Sequence, residues 1–251
     1  MTLVKVEPID DVAVLKLNRG TTNAINMDFA VELSSAIEEI RRSNYFRALV
    51  LTSSNDKFFS IGFDVPELIN LSRREFLEFY HAFNQLCLNL YTLPKPTIAA
   101  ITGHAIAGGC ILTLCCDFRY ISQGRKLMGL NEIKLGLPIP YFADRTLRQI
   151  VGDRAATEIL YTGEFYPPEK ALEMKLVDGI FPPDEVLQKA IEKAGAIGRL
   201  PDKAFAVLKD NRTREISNEF LRNFEEELST FVDFWFSDEA QKRLREAIKN
   251  F

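Results

Sequence analysis

The chain has 251 residues, of which 47% are hydrophobic and 26% are charged, and these proportions exclude a disordered or collagen-like protein. A chain of this length buries enough of its own surface to fold without a disulfide or a metal staple. The formal net charge of -4 provides no broad cationic field for nucleic acid or anionic lipid, although it does not exclude a local basic patch.

Strand-like and helix-like patterns alternate through the first half of the chain. Apolar runs predict strands at residues 12–17, 47–52, 97–101 and, more briefly, 118–121. Apolar residues at helical spacing predict helices at 29–42 and 74–93, and an apolar helix ending near Cys116. This alternation favours an α/β fold with a largely parallel sheet.

The strand signal fades after about residue 144, and the pattern predicts helices at 154–161, 169–174, 184–197 and 219–248. We therefore expect an α/β core over residues 1–190 and a C-terminal helical region over 191–251. The last predicted helix carries more aromatic surface than a free helix tolerates, so it packs on the chain's own core or forms a subunit interface. These side chains are Phe220, Leu221, Phe224, Leu228, Phe231, Phe234, Trp235 and Phe236.

The cysteines and the N-terminal segment indicate a cytoplasmic protein. The four cysteines lie in apolar stretches without a CxxC pair, which is typical of buried, reduced thiols. The first residues resemble neither a signal peptide nor a transit peptide, and no apolar run reaches the ~20 residues of a membrane span.

Several catalytic signatures are missing from the sequence: GxSxG, the Walker A loop, GxGxxG and HExxH. Only two histidines occur. His81 is expected at the surface of a helix, whereas His104 lies in a glycine-rich loop and could face a cleft. A serine-histidine-aspartate triad or a histidine-rich metal site is hard to build from this set, so carboxylates are the expected proton carriers.

Three short segments combine backbone freedom with apolar surroundings. Residues 58–64 and 103–110 follow two predicted strands, where open α/β sheets place ligands, and two of their amides could converge as an oxyanion hole. The third segment, 128–137, places Glu132 among apolar residues. Glu132 is either a surface residue or partner of Lys134, or a buried base whose pKa is raised beside an apolar ligand.

Four motifs together resemble the crotonase (enoyl-CoA hydratase/isomerase) superfamily over almost the whole chain. They are Asn23-Ala24-Ile25-Asn26, Phe59-Ser60-Ile61-Gly62-Phe63-Asp64, Ala107-Gly108-Gly109-Cys110 and Cys116-Asp117. The segments 129–136, 163–178 and 231–244 most resemble the mitochondrial-type Δ3,Δ2-enoyl-CoA isomerases. This resemblance implies a spiral of ββα units whose C-terminal helices build homotrimers or dimers of trimers. It also implies an acyl-CoA thioester as substrate, with no metal and no further cofactor.

The resemblance assigns roles to individual residues. The amides of Ile61 and Gly108 match the two oxyanion-hole donors, and Glu132 matches a catalytic glutamate. Asp64 and Asp117 match acidic positions that we interpret as acceptors fastening loops. The residues expected to contact substrate are Phe59, Ser60, Ile61, Gly62, Phe63, Asp64, Val65, Gly108 and Ile111.

Ile111 decides between reactions of the family. Hydratases carry a second glutamate at this position, and a branched alkyl side chain cannot activate water. The resemblance therefore implies an isomerase that moves a 3-enoyl-CoA double bond to the 2-trans position with Glu132 as the single base. The alternatives are another acyl-CoA reaction (hydration, hydrolysis or decarboxylation) and a non-catalytic module that binds acyl-CoA or RNA.

Overall fold

The structure is a computed structural model and describes residues 2–249. The strands are β1 (Val4–Ile9), β2 (Val12–Leu17), β3 (Ala48–Ser53), β4 (Phe58–Ser60), β5 (Thr97–Ile101), β6 (His104–Ile106), β7 (Phe118–Ser122), β8 (Met128–Gly129), β9 (Phe165–Tyr166) and β10 (Gly179–Phe181). The helices are α1 (Met27–Arg42), α2 (Val65–Leu68), α3 (Arg73–Tyr91), α4 (Gly108–Leu114), α5 (Tyr141–Thr162), α6 (Pro168–Glu173), α7 (Val186–Gly198), α8 (Asp202–Arg222), α9 (Phe224–Trp235) and α10 (Asp238–Ile248). One 3₁₀ helix covers Glu132–Leu135.

The larger sheet has the order β1-β2-β3-β5-β7-β10. Its first pair is antiparallel and the remaining pairs are parallel. All six residues of β3 are buried, because helices cover both faces of the sheet, as parallel sheets require. Val50 faces the cluster that contains α7, whereas its neighbour Leu51 faces the cluster that contains α1 and α3.

A smaller sheet, in the order β4-β6-β8-β9, lies beyond the ends of these strands. Each of its first three strands follows a strand of the larger sheet and precedes a helix, so β3-β4-α2, β5-β6-α4 and β7-β8 with the 3₁₀ helix are successive ββα units. This repetition confirms the predicted crotonase-like α/β fold. It places the residues after β4, β6 and β8 beside one another, because these strands pair in parallel.

Two sequence-based expectations about the second half are wrong. The strands β9 and β10 do form after residue 144, but they have only two and three residues. The single helix predicted over 219–248 instead covers the end of α8 and the separate helices α9 and α10. The helix α8 ends at Arg222, and the Ser237 side chain caps α10. Both failures concern local pairing and capping, which hydrophobic periodicity does not report.

The C-terminal helices share a hydrophobic core with the α/β part. Ile216, Trp235 and Leu244 belong to the same buried cluster as the strands β2 and β3. The helix α7 spans residue 190 and packs on the larger sheet. The predicted boundary at residue 190 would therefore cut through α7, and the two regions on either side share one core. The division into these two regions stays a prediction. Within residues 2–249, no helix is both long and apolar enough to cross a bilayer.

Candidate active site

The two glycine-containing segments lie in direct backbone contact. A Cβ atom on Gly62 would lie 2.8 Å from the Gly108 nitrogen, and one on Gly109 would lie 2.3 Å from the Ser60 carbonyl oxygen. Gly62 also has φ +89°, a value that side chains other than glycine disfavour. The expectation that these segments meet is therefore correct, and glycine is needed for their close approach.

The amide of Gly108 opens the helix α4. Ala107 precedes it with φ 49°, an uncommon value for a residue with a side chain, and donates its own N–H to Gly129 at 2.9 Å. The N–H of a first helical residue has no partner within its helix. No protein acceptor in residues 2–249 receives the Gly108 N–H, so it is available to a ligand.

The amide of Ile61 is not available. It donates to the carbonyl oxygen of Thr22 at 3.1 Å, which contradicts the prediction that Ile61 supplies an oxyanion-hole donor. The neighbouring amides are also occupied, since Gly62 donates to Ser60 Oγ at 3.1 Å and Asp64 donates to Ile25 at 2.9 Å.

Among residues 61–64, the amide of Phe63 is the one without a hydrogen bond to the described part of the protein. Ile25 donates to Gly62 at 2.7 Å and accepts from Asp64, a parallel bridge that turns the intervening N–H of Phe63 away from Ile25. No acceptor among the described residues receives it. The sequence predicts Phe63 only as a substrate contact, because the pairing that selects its amide joins segments distant in the chain.

The other predicted contact residues divide between the site wall and its support. Phe59 and Ser60 are fully buried, and the Ser60 hydroxyl donates to the Asn23 carbonyl at 2.8 Å. Asp64 accepts from Arg19 at 2.6 Å and caps α2, so it fastens the loop as predicted. Val65 is the half-buried first residue of that helix.

Glu132 is the first residue of the 3₁₀ helix and is only 7% exposed. Burial raises the pKa of its carboxyl group to about 7, although the N–H groups of Glu132 and Asn131 partly lower it. Its Oε2 atom is buried without a hydrogen-bond partner among the described residues. Lys134 pairs instead with Glu164 at 2.6 Å, so the alternative of a Glu132–Lys134 pair is excluded.

The surroundings of Glu132 are mostly apolar. Its charge acts on the buried thiol of Cys110, two residues beyond Gly108, where burial first raises the thiol pKa and the carboxylate raises it further. Ile111, one helical turn from Gly108, is 2% exposed and belongs to the main core. A cavity of about 200 Å³ also borders Glu132. It is lined by Leu130, Glu132, Ile133, Leu137, Pro138, Ile139, Asp144, Arg148, Leu160 and Tyr161.

The histidines do not join this arrangement in a catalytic pairing. His104 accepts from the Leu127 N–H at 3.0 Å through Nδ1, and burial, followed by the charges of Lys126 and Lys57, lowers its pKa. His81 lies exposed on α3 against the ring of Phe224. No cluster of three or more His, Cys, Asp or Glu side chains within 2–249 could hold a metal ion.

Asp117 supports the site from the end of α4. Burial acts to raise its pKa, but the charges of Lys209 and Arg212, each 2.7 Å away, outweigh that effect and lower it. Its carboxylate also accepts the Thr97 N–H at 2.9 Å. It therefore ties α8 to the start of β5 and acts as the predicted fastening acceptor.

Aromatic rings of the C-terminal helices cover the 61–64 segment. Phe231 stacks on Tyr80 at 4.2 Å between centroids, and Trp235 stacks on Phe76 at 4.2 Å. The ring of Phe63 lies at their edge, 6.4 Å from Trp235. These buried rings pack on the chain's own core, whereas Phe234 of the same helix is 48% exposed.

Comparisons with known proteins agree with this arrangement. The profile of the enoyl-CoA hydratase/isomerase family matches residues 8–251. Human mitochondrial enoyl-CoA delta isomerase 1 is 30% identical over 244 residues, covering 97% of this chain and 81% of the relative. Crotonyl-CoA hydratase of Syntrophomonas wolfei is 33% identical over 193 residues, covering 76% and 74%.

A solved structure gives the same result. The crystal structure of human mitochondrial delta3-delta2-enoyl-CoA isomerase superposes with a TM-score of 0.96 at 30% identity, covering 99% of this chain and 97% of the other. The family matches over nearly the full chain, in agreement with the resemblance that the four sequence motifs indicate. The chain belongs to the enoyl-CoA hydratase/isomerase family and is an enzyme of the crotonase superfamily.

Proposed function

We propose that this enzyme is a Δ3,Δ2-enoyl-CoA isomerase, which moves the double bond of a 3-enoyl-CoA to the 2-trans position. The observation that carries the proposal is the carboxyl group of Glu132, which is buried and has an oxygen without a hydrogen-bond partner among the described residues. Ile111 stands where, by the family resemblance, a hydratase has its second glutamate. The relatives support it, since both an isomerase and a hydratase match the chain but the isomerase covers more of it.

The oxyanion hole of this proposal consists of the Phe63 and Gly108 amides. They would donate to the thioester carbonyl oxygen, whose negative charge grows as a proton leaves the α carbon. Neither N–H has to give up a bond within the described protein to do so. Phe63 thus replaces Ile61 as the second proposed donor.

Glu132 would carry the proton. Its carboxylate removes a proton from C2 of the acyl chain, the electron pair delocalises into a dienolate, and the carboxylic acid returns the proton to C4. The double bond then lies between C2 and C3, conjugated with the thioester, and Glu132 is a carboxylate again. A pKa of about 7 suits both steps, because the group accepts and releases a proton near neutral pH.

The apolar surroundings support isomerisation over hydration. Ile111 offers no oxygen to orient a water molecule, and the loss of such general acid–base help typically slows a reaction by about 10²–10⁴-fold. The cavity of about 200 Å³ beside Glu132 would receive part of the acyl chain, because most of its lining is apolar.

The assembly and location remain proposals as well. We propose a homotrimer or a dimer of trimers in the cytoplasm, with acyl-CoA as the only small-molecule partner. The exposed apolar side chains Phe234 and Leu221 are available for contacts between copies. Light scattering of the purified protein would measure the assembly.

Two substrates test the proposed reaction. We expect 3-hexenoyl-CoA to give a conjugated thioester, seen by its ultraviolet absorbance, and crotonyl-CoA to be hydrated at least about 100-fold more slowly. Hydration of crotonyl-CoA that is faster than isomerisation of 3-hexenoyl-CoA would favour a hydratase instead. Binding of both thioesters without conversion of either would favour a non-catalytic module.

A further inference from the structure

Three buried polar side-chain atoms in residues 2–249 have no hydrogen-bond partner: Ser122 Oγ, Glu132 Oε2 and Trp235 Nε1. Such groups are rare in folded proteins, since burying a donor or acceptor without a partner costs free energy, and each one requires an explanation. The proposed catalytic role explains Glu132. The indole N–H of Trp235 has no role in that mechanism.

Trp235 is the last residue of α9 and is 1% exposed. Its ring is stacked on Phe76 with an angle of 19° between the planes. Because an indole N–H lies in the plane of its ring, it points past the face of Phe76 and does not donate into it. Its ring centroid lies 6.4 Å from that of Phe63, the residue whose amide we assign to the oxyanion hole.

The chain beyond Trp235 runs to the segment that carries Glu132. The helix α10 packs on the 3₁₀ helix, where a Cβ atom on Gly136 would lie 3.5 Å from Ala240. Arg243 of α10 also donates to the Lys134 carbonyl at 3.3 Å. The α9–α10 corner therefore contacts both parts of the proposed site, because Trp235 lies beside Phe63 and α10 packs on the segment that follows Glu132.

The choice of tryptophan at this corner is not explained by packing alone. A phenylalanine would stack on Phe76 without burying an unpaired donor. The proposed substrate, in contrast, carries carbonyl acceptors in its thioester group and in the two amides of its pantetheine arm.

We propose that Trp235 is a substrate-binding residue whose indole N–H donates a hydrogen bond to a carbonyl oxygen of the bound acyl-CoA. This inference rests on the proposed function. Phe63 and Gly108 already supply two donors for the thioester oxygen, so an amide carbonyl of the pantetheine arm is the expected acceptor.

Fluorescence of the unaltered protein gives the first test. Trp235 is the only tryptophan of the chain, so the indole emission reports this position alone. Octanoyl-CoA is the probe, because a saturated chain binds without isomerising. We expect a saturable change in emission with the same midpoint as the binding measured by calorimetry. Calorimetric binding with no change in emission would overturn the inference.

Substitution gives the second test. In Trp235→Phe, which keeps the stacked ring, we expect the Kd for octanoyl-CoA to rise about three- to tenfold, as for a lost neutral hydrogen bond. We expect kcat to stay within about twofold if the acceptor is a pantetheine amide, and to fall with the affinity if it is the thioester oxygen. The matched control is Ser122→Ala, which removes another unpaired buried group from β7 and should change neither quantity.

The outcomes separate the two proposals. An unchanged Kd and kcat in Trp235→Phe, with the variant folded by circular dichroism, would overturn the role of Trp235 and leave the proposed function intact. If the unaltered protein binds no octanoyl-CoA by calorimetry, the proposed function fails and this inference fails with it.

Discussion

Gly62 and Gly108 approach each other so closely that a methyl group on Gly62 would lie 2.8 Å from the main-chain nitrogen of Gly108. The contact joins the loop after β4 to the first turn of α4. It brings Phe63, the next residue, against Gly108, since the Phe63 ring lies 3.3 Å from where a Gly108 Cβ would be, and neither residue's amide has a protein acceptor among the described residues. A pair of donors that is fixed before substrate arrives needs no rearrangement as charge develops on the substrate oxygen.

Replacement of Gly62 by alanine should therefore separate the two amides. We expect kcat for 3-hexenoyl-CoA to fall about 10²–10³-fold, the usual loss for one oxyanion-hole donor. The matched control is Gly124→Ala, because Gly124 also has a positive φ, +95°, but an added Cβ meets nothing within 4 Å. Both variants incur similar backbone strain, so equal activities in the two would argue against the assigned amide pair.

Glu132→Gln removes the proposed proton carrier and keeps the size of the side chain. We expect the isomerase rate to fall by at least about 10²–10⁴-fold, whereas octanoyl-CoA still binds. Glu164→Gln is the control, since Glu164 undergoes the same chemical change at an exposed ion pair with Lys134. Steady-state rates and calorimetry measure the two effects, and near-normal turnover by Glu132→Gln would eliminate Glu132 as the base.

The raised pKa of Glu132 predicts opposite pH trends for activity and stability. The base must be ionised, so kcat/KM should rise as the pH increases through about 7. The folded state holds this proton more tightly than the unfolded state, whose ordinary pKa is 4.5, so stability should fall between pH 4.5 and 7. The total loss is about 3 kcal/mol at 1.36 kcal/mol per pKa unit.

Urea unfolding of the unaltered protein and of Glu132→Gln at pH 5 and pH 8 isolates this contribution. The glutamine variant lacks the titrating group, so its stability relative to the unaltered protein should improve from pH 5 to pH 8. A difference that is the same at both pH values would mean that Glu132 is not held in an environment that favours its neutral form.

Asp117→Ala should destabilise the fold. It would leave Lys209 buried, with only 2% of its side chain exposed, without its counter-charge, a loss of about 3–5 kcal/mol. Asp233→Ala is the matched control, because it breaks the exposed Asp233–Arg73 pair and should cost at most about 1 kcal/mol. Chemical denaturation measures the loss of unfolding free energy in both variants. Similar losses would show that the buried Asp117–Lys209 pair stabilises the fold no more than the exposed pair does.

The strands and helices whose ends are predicted correctly are those whose structure depends mainly on their own residues. The strand at residues 12–17 is predicted with its observed ends, because its apolar residues alternate between two buried faces. The two-residue strands β8 and β9 were not predictable in this way, since they form through pairing with each other and with β6.

The candidate site shows the same division. The roles predicted for Glu132 and Ile111 follow from their places in family motifs. The burial that raises the pKa of Glu132, in contrast, is a property of the assembled core. The identity of the second donor, Phe63 and not the predicted Ile61, also depends on contacts between distant segments. Both residues lie in one short segment, and hydrogen bonds from Ile61 to Thr22 and around Phe63 to Ile25 decide which amide stays unbonded.

Ile111→Glu tests the proposal that the lack of a second carboxylate keeps this enzyme from acting as a hydratase. Ile111 lies one turn into α4 and is 2% exposed, so a glutamate there would be buried in the main core, at the position that the family resemblance gives to the second glutamate. We expect measurable hydration of crotonyl-CoA and a lower isomerase rate, because the new carboxyl group can orient water. Ile111→Gln is the control, since it has a similar shape and polarity but cannot exchange a proton. If neither variant hydrates crotonyl-CoA although both remain folded and bind octanoyl-CoA, then exclusion of water by the rest of the site, and not the missing carboxylate, limits hydration.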